Sequence, residues 1–212
     1  MSYFSDIEYK IKNDPKELWF ERLYFNRWFK DMAGPILDVG CATGNFMAIK
    51  PGIMEGVEND EDCYQITKKR GFNVLRLDVN REMGQLSSGK YQGIYAKHVI
   101  EHLSDPLNFL KEVRRVMRPD GKAVILTPNC PFMLRRGFFD DYTHRQPFTA
   151  KSLEMIAFDA GFTDIKIYED FRCFPGVGRL MRYFSLSPRL VRNIQSALGI
   201  RGLSLILELS NK

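Results

Sequence analysis

The chain of 212 residues is 44% hydrophobic and 27% charged, with a formal net charge of +5, the composition of a globular domain long enough to build its own core. That apolar content excludes disorder over most of the chain, and no uninterrupted apolar run approaches the roughly 18 residues of a membrane-crossing helix. The first twenty residues carry charges throughout and no apolar h-region, so no secretory signal is expected.

In chain order, Pro15 to Met32 spaces Trp19, Phe20, Leu23, Phe25, Trp28 and Phe29 at helical intervals. This predicts an amphipathic helix capped by Asn13 or Asp14, its aromatics covering a sheet edge or pocket. From there strands and helices alternate. Strands are expected at Ile36–Gly40, Ile53–Glu58, Asn73–Asp78, Tyr91–Lys97, Lys122–Thr127, Phe162–Glu169 and Leu203–Leu209. Helices are expected at 44–50, Asp60–Arg70, Pro106–Met117 and Thr149–Ala160, with Gly71 and Gly161 as stops and Pro119-Asp120-Gly121 as a tight turn. Such alternation implies a doubly wound α/β, Rossmann-like sheet of about seven strands, mostly parallel, with helices on both faces. We read 1–212 as a single domain: a helical cover over 1–32, a ligand-binding core over 33–170, and a basic helical segment with the last strand over 171–212. Ligands of such sheets bind beyond the carboxyl ends of the strands, at the switch in strand order.

The segment Ile36-Leu37-Asp38-Val39-Gly40-Cys41-Ala42-Thr43-Gly44 reads as a strand, a glycine turn and a helix start. It is not G-x-G-x-x-G, because Ala42 stands at the second glycine, and close approach of a pyrophosphate is thereby hindered. Asp38 at the strand end would repel phosphate but suits an amine, so a cationic ligand fits better than a dinucleotide. Glu58 closes the second strand, where a carboxylate can hold both hydroxyls of a ribose, and Asp78 closes the third, within reach of an adenine edge.

Taken together, ILDVGCATGNF, GVEND, LRLDV and YQGIYAKHVIEHLSDPLNFLKEVRRVMRPDGKAVILTPN resemble the ordered motifs of class I S-adenosylmethionine-dependent methyltransferases over about residues 33–170. The resemblance implies S-adenosylmethionine as cofactor. It assigns the methionine part to Asp38, Gly40 and Gly44, the ribose to Glu58, and the adenine to Asp78 and Val79. It brings Cys41, Asn59, Lys97, His98 and His102 to the same site. Gly93 departs from the pattern, since relatives often carry Asp there. The histidine-bearing stretches further resemble quinone O-methyltransferases and methyltransferases of surface-polysaccharide and glycolipid pathways.

The three histidines are His98, His102 and His144, all expected on the ligand side of the sheet. Histidine is the usual general base near neutral pH. Within Asp140-Asp141-Tyr142-Thr143-His144, His144 is the first candidate to take a proton from a hydroxyl, with Asp140 or Asp141 orienting it; His98 is the second. His98, Glu101 and His102, at i, i+3 and i+4 and so facing one way on a helical turn, also have the residue types of a metal trio. The simpler reading is that they line the cofactor pocket, and no metal is expected.

These residues lead to an S-adenosylmethionine-dependent methyltransferase acting on oxygen of a small-molecule, sugar or lipid-linked acceptor. The competing readings are a cofactor-binding protein without catalysis and a methyltransferase of RNA or protein. The position after strand four reads Lys97-His98-Val99-Ile100, not the N/D-P-P-[YF] motif of RNA base modifiers, so no nucleic acid is expected. Cys41, Cys63, Cys130 and Cys173 form no CxxC and are expected as reduced thiols in a cytoplasmic protein. From Phe171 onward seven basic residues (Arg172, Arg179, Arg182, Arg189, Arg192, Arg201, Lys212) face one acid, Glu208, a net +6 that leaves the first 170 residues at −1. Ser187-Pro188 opens a helix with Leu190, Val191, Ile194, Ala197 and Leu198 on one stripe. The simpler expectation is that this stripe packs on the domain; the alternative is peripheral contact with an anionic membrane, or a clasp on a phosphate-bearing acceptor.

Overall fold

The computed structural model describes residues 15–130, 132–133, 137–170, 181, 183–184, 186–198 and 201–211. Seven strands form one sheet in the order β3-β2-β1-β4-β5-β7-β6. They are β1 (Ile36–Val39), β2 (Met54–Glu58), β3 (Val74–Arg76), β4 (Tyr91–Lys97), β5 (Met117–Pro128), β6 (Asp164–Glu169) and β7 (Ser204–Ser210). All run parallel except β7, which is antiparallel to both β5 and β6. The order reverses between β1 and β4, which opens the ligand crevice at their carboxyl ends.

Alternate residues of each central strand serve opposite faces. Leu37, Val39, Ile94, Ala123, Ile125 and Leu207 join one core, where Phe109, Leu110 and Val113 of α3 (Pro106–Val116) and Leu153 and Ala157 of α4 (Ala150–Asp159) pack. Ile36, Tyr95, Val124, Leu126 and Ile206 join the other, under the aromatics of α1 (Pro15–Trp28). Burial on both faces is why these strands read as continuous apolar runs. Caps fix the helix starts. Asp60 accepts from the Cys63 amide ahead of α2 (Glu61–Lys69), Asp105 accepts from Asn108, and Thr149 forms a capping box with Ser152.

The aromatic helix covers the sheet, as its spacing predicts. Phe20, Tyr24, Phe25 and Trp28 are buried, and so is Phe29 just beyond it. A side chain at Gly93 would come within 2.8 Å of the Phe29 ring, so the departure at Gly93 makes room for this packing. The helix is also tied to distant strands. Trp28 Nε1 donates to Glu208 Oε2 (2.8 Å) of β7, and Tyr24 donates to Asp170 Oδ2 (2.9 Å).

Four expectations are corrected. The helix over 44–50 is only a 3-10 turn at Met47–Ile49; Lys50 precedes Pro51, which disfavours helical backbone there, and adopts φ −148°. Pro119-Asp120-Gly121 does not separate helix from strand: it is carried within β5, where the pairing with β4 shifts register between Tyr91 and Gly93. His98 precedes the turn at Ile100–His102 rather than sharing an α-helical turn with Glu101 and His102. The helix after Ser187, α5 (Pro188–Ala197), forms, yet of its predicted stripe only Val191 is buried; Leu190, Ile194, Ala197 and Leu198 are exposed. Periodicity reports a two-sided helix, not whether each side finds a partner. Asn13, Asp14, Cys173, Arg172, Arg179 and Lys212, and the side chains of Arg182 and Arg192, lie outside the described residues. No described helix is long and apolar enough to cross a membrane.

Candidate functional site

A cavity of about 800 Å³ opens at the carboxyl ends of β1, β2, β3 and β4. β1 delivers Asp38, and the turn after it delivers Gly40 and Cys41; β2 delivers Glu58 and Asn59; Asp78 and Val79 follow β3. Lys97, His98 and His102 come from β4 and the turn after it, and Asp141 and His144 from the loop after β5. Of the residues expected to hold the cofactor, Gly44 alone does not line this cavity: its amide closes the turn on the Cys41 carbonyl at 2.8 Å.

The turn is shaped by backbone that side chains resist. Gly40 has φ +65°, and a Cβ there would meet Val99 Cγ2 at 2.7 Å. Among the described residues two non-glycines have positive φ, Ala42 (+47°) and His98 (+56°), and both border the cavity. Left-handed backbone costs such residues about 1–2 kcal/mol. At Ala42 it aims the amide at Glu58 Oε2 (2.8 Å), while the amides of Asn59 and Asp60 hold Glu58 Oε1 (2.8 Å each). Three amides thus fix one buried carboxylate. Burial raises its pKa and these bonds pull it back.

Asp38 is buried beside it. Burial first, then the Glu21 and Glu58 carboxylates, hold its pKa well above the usual range, with Lys97 acting in the opposite sense. Glu21 is a member of the site that sequence reasoning missed. It looked like one polar residue of an amphipathic helix, but it is buried, accepts from Tyr95 Oη (3.0 Å) and pairs with Lys97 Nζ (2.6 Å). The available signal was Lys97 itself, a cation ending an apolar strand and needing a counter-charge. Thr43 was missed too. Its Oγ1 is buried on the cavity wall with no hydrogen-bond partner.

Elsewhere on the cavity's lining two imidazoles meet, with ring centroids 4.6 Å apart. His144 Nδ1 lies 2.5 Å from the Phe138 carbonyl. A carbonyl only accepts, so Nδ1 carries the hydrogen and neutral His144 presents a bare Nε2. Asp141 Oδ2 sits 3.9 Å from that Nε2. The orienting group is therefore the backbone of Phe138, and Asp141 faces the proton-accepting atom; Asp140 is exposed and does not line the cavity. Thr143 donates to Asp141 Oδ1 (2.6 Å) and so accepts from His102 Nδ1 (2.8 Å). Burial lowers the His102 pKa. His98 Nδ1 engages the fully buried Glu101 (3.0 Å), which also accepts from Thr127 (3.1 Å). The Glu101 carbonyl takes the Arg145 and Gln146 amides, clipping the two histidine loops together. The trio whose ligand atoms lie within 4.8 Å of one another is Glu101, His102 and His144, not the His98, Glu101 and His102 read from spacing; such a set has the chemistry to hold a transition ion.

Comparison with known proteins identifies the chain's family. The family profile described as Methyltransferase domain matches residues 10–167. A Mycobacterium tuberculosis protein described as an S-adenosylmethionine-dependent methyltransferase is 27% identical over 159 residues, covering 72% of this chain and 58% of that protein. The chain thus spans less than two thirds of that relative's length. A demethylmenaquinone methyltransferase of Bacillus velezensis is 26% identical over 162 residues, 70% of this chain and 67% of the relative. The crystal structure of an Archaeoglobus fulgidus S-adenosylmethionine-dependent methyltransferase superimposes with a TM-score of 0.74 over 98% of this chain and 99% of its own, at 23% identity, a likeness of fold.

Proposed function

The chain belongs to the Methyltransferase domain family as a class I S-adenosylmethionine-dependent member, and from that premise we propose that it methylates a hydroxyl of a small-molecule, sugar or lipid-linked acceptor. The observation that carries this reading is that one cavity is lined both by buried carboxylates and by an imidazole whose Nδ1 is held by a backbone carbonyl.

The carboxylate lining fits the cofactor. Asp38, Glu21 and Glu58 suit a cation, and the unpartnered Thr43 hydroxyl and the side-chain-free face of Gly40 suit its amino-acid portion. Glu58, fixed by three amides, keeps one of its roughly four lone-pair sites, on Oε2, for a ribose hydroxyl. Asp78 and Val79 border the place of the adenine. When bound, S-adenosylmethionine supplies an electrophilic methyl group on a sulfonium. The protein's part is position and proton handling. His144 takes the acceptor's hydroxyl proton on Nε2, and Asp141 stabilises the resulting imidazolium. An acceptor whose hydroxyl reaches His144 within the cavity meets these needs; among the relatives, a Haemophilus ducreyi ubiquinone biosynthesis O-methyltransferase acts on oxygen by its name.

The test is transfer of tritium from methyl-labelled S-adenosylmethionine into a cell extract. We expect label in the small-molecule or organic-soluble fraction with the native chain and none with His144→Ala. Label in RNA or protein, or no label with any extract despite cofactor binding, overturns the reading.

A further inference from the structure

β6 runs parallel to β5, so its carboxyl end at Glu169 lies on the cavity's edge of the sheet, and the antiparallel β7 starts from that same edge. The connection between them, which contains α5, is therefore tethered at both ends to the rim from which the cavity opens. Hydrogen bonds continue the link. Glu21 lines the cavity; one turn on, Tyr24 bonds Asp170, and the Asp170 carbonyl accepts from Gln195 of α5 (3.4 Å).

α5 turns Val191 and Gln195 inward. Leu190, Ile194 and Leu198, spaced i, i+4 and i+8 on one face, are 45%, 46% and 66% exposed, and Tyr183 and Phe184 ahead of the helix are 82% and 59% exposed. Apolar side chains scattered singly on a surface need no explanation, but an aligned stripe does. The stretch of sequence that carries it is cationic, and of its described bases Arg201 pairs with Glu169 (2.7 Å). Residues 171–212 hold seven basic side chains to one acid. That acid, Glu208, is withdrawn into the fold, where it holds Trp28, Lys122 and Lys166. Arg189 stands exposed beside the stripe. A second copy of the chain would set this cationic segment against its own like, whereas an anionic lipid surface complements both the charge and the stripe.

We propose that α5 docks the protein on an anionic membrane, with Leu190, Ile194 and Leu198 at the headgroup–acyl boundary and Arg189 among the headgroups. The cavity's rim is then held at the lipid surface, and the acceptor class narrows to lipid-linked molecules. That narrowing rests on the methyl-transfer reading; the docking does not.

The experiment is flotation of the full chain with vesicles of phosphatidylcholine alone and with vesicles also containing phosphatidylglycerol, at low and at near-physiological salt. The chain is expected to float with the anionic vesicles at low salt, and at least about tenfold less with neutral vesicles. A Leu190→Ser, Ile194→Ser, Leu198→Ser variant is expected to stay at the bottom of the gradient while binding S-adenosylmethionine as the native chain does, which establishes that it folds. Glu58→Gln, impaired in the cofactor site, is expected to float normally, so failure of the catalytic reading and failure of docking give different patterns. A native chain that stays down with both vesicle types, a triple variant that floats unchanged, or a dimer in light scattering that the triple substitution breaks would each overturn the proposal.

Discussion

Replacing Glu58 by Gln separates its two duties, bracing the glycine turn and holding the ligand. In the free protein its two oxygens accept three amides, each at 2.8 Å. Gln keeps one acceptor oxygen and turns an NH2 group toward the other donors. If the oxygen stays with Asn59 and Asp60, the Ala42 amide loses its partner while its residue remains at φ +47°. One such loss costs about 1–3 kcal/mol, or roughly 2–10 °C in melting temperature for a domain of this size. Toward ligand, a neutral group in place of a charged acceptor of a ribose hydroxyl costs about 1–3 kcal/mol, so the Kd for S-adenosylmethionine should rise about 5- to 150-fold. Calorimetry reads the affinity and thermal melting reads the brace. Comparing S-adenosylhomocysteine with its 2′-deoxy counterpart isolates the ribose contact: the native chain should discriminate between them and the variant should not. A melting temperature that falls while affinity and discrimination stay unchanged would refute the ligand role and leave Glu58 as a brace.

Three further outcomes are expected. Thr43→Val removes a buried hydroxyl that has no partner, so melting without ligand should hold or rise while affinity for S-adenosylmethionine falls several-fold by calorimetry. His144→Ala should lower kcat about 10²- to 10⁴-fold on the acceptor found by labelling, with cofactor Kd within about twofold; near-normal turnover moves the base to His98. The raised pKa of Asp38 means the free fold binds a proton there that the unfolded chain has already lost. Its stability should therefore decline as pH rises from the ordinary Asp value of about 3.9 through the raised one. Cation affinity should climb over the same range, with proton release on binding, read by calorimetry in two buffers of different ionisation enthalpy. Asp38→Asn should flatten both dependences.

The parts of the fold that were legible in the sequence are those where a local pattern determines the outcome. β4 was read to the residue because Tyr91–Lys97 is bounded by turn residues and buried on both faces. Asp38, Glu58 and Asp78 were legible as a set because parallel strands bring their carboxyl ends to one edge. The contribution of Glu21 was not, since nothing in a helix's own sequence tells which polar residue will meet a half-buried lysine 76 positions away. The orientation of His144 depends on the Phe138 carbonyl, and a backbone acceptor has no letter in the sequence. The short turn at Met47–Ile49 was misread as a helix because the constraint from Pro51 was not weighed against the apolar spacing.

The bonds of the first helix bear on the order in which the protein assembles. Trp28 and Glu208 lie 180 positions apart, and Tyr24 and Asp170 lie 146 apart. On a ribosome, α1 emerges before any strand it covers; Phe25 and Phe29 can meet Phe46 early, but Trp28 and Tyr24 find their hydrogen-bond partners only once β6 and β7 are made. Contacts of such long sequence separation must close large loops before they stabilise anything. The five strands β1 to β5 can associate earlier through nearer partners. The last bonds of α1 then come late, so the helix that carries Glu21 to Lys97 is locked in place only after the far strands of the sheet are made.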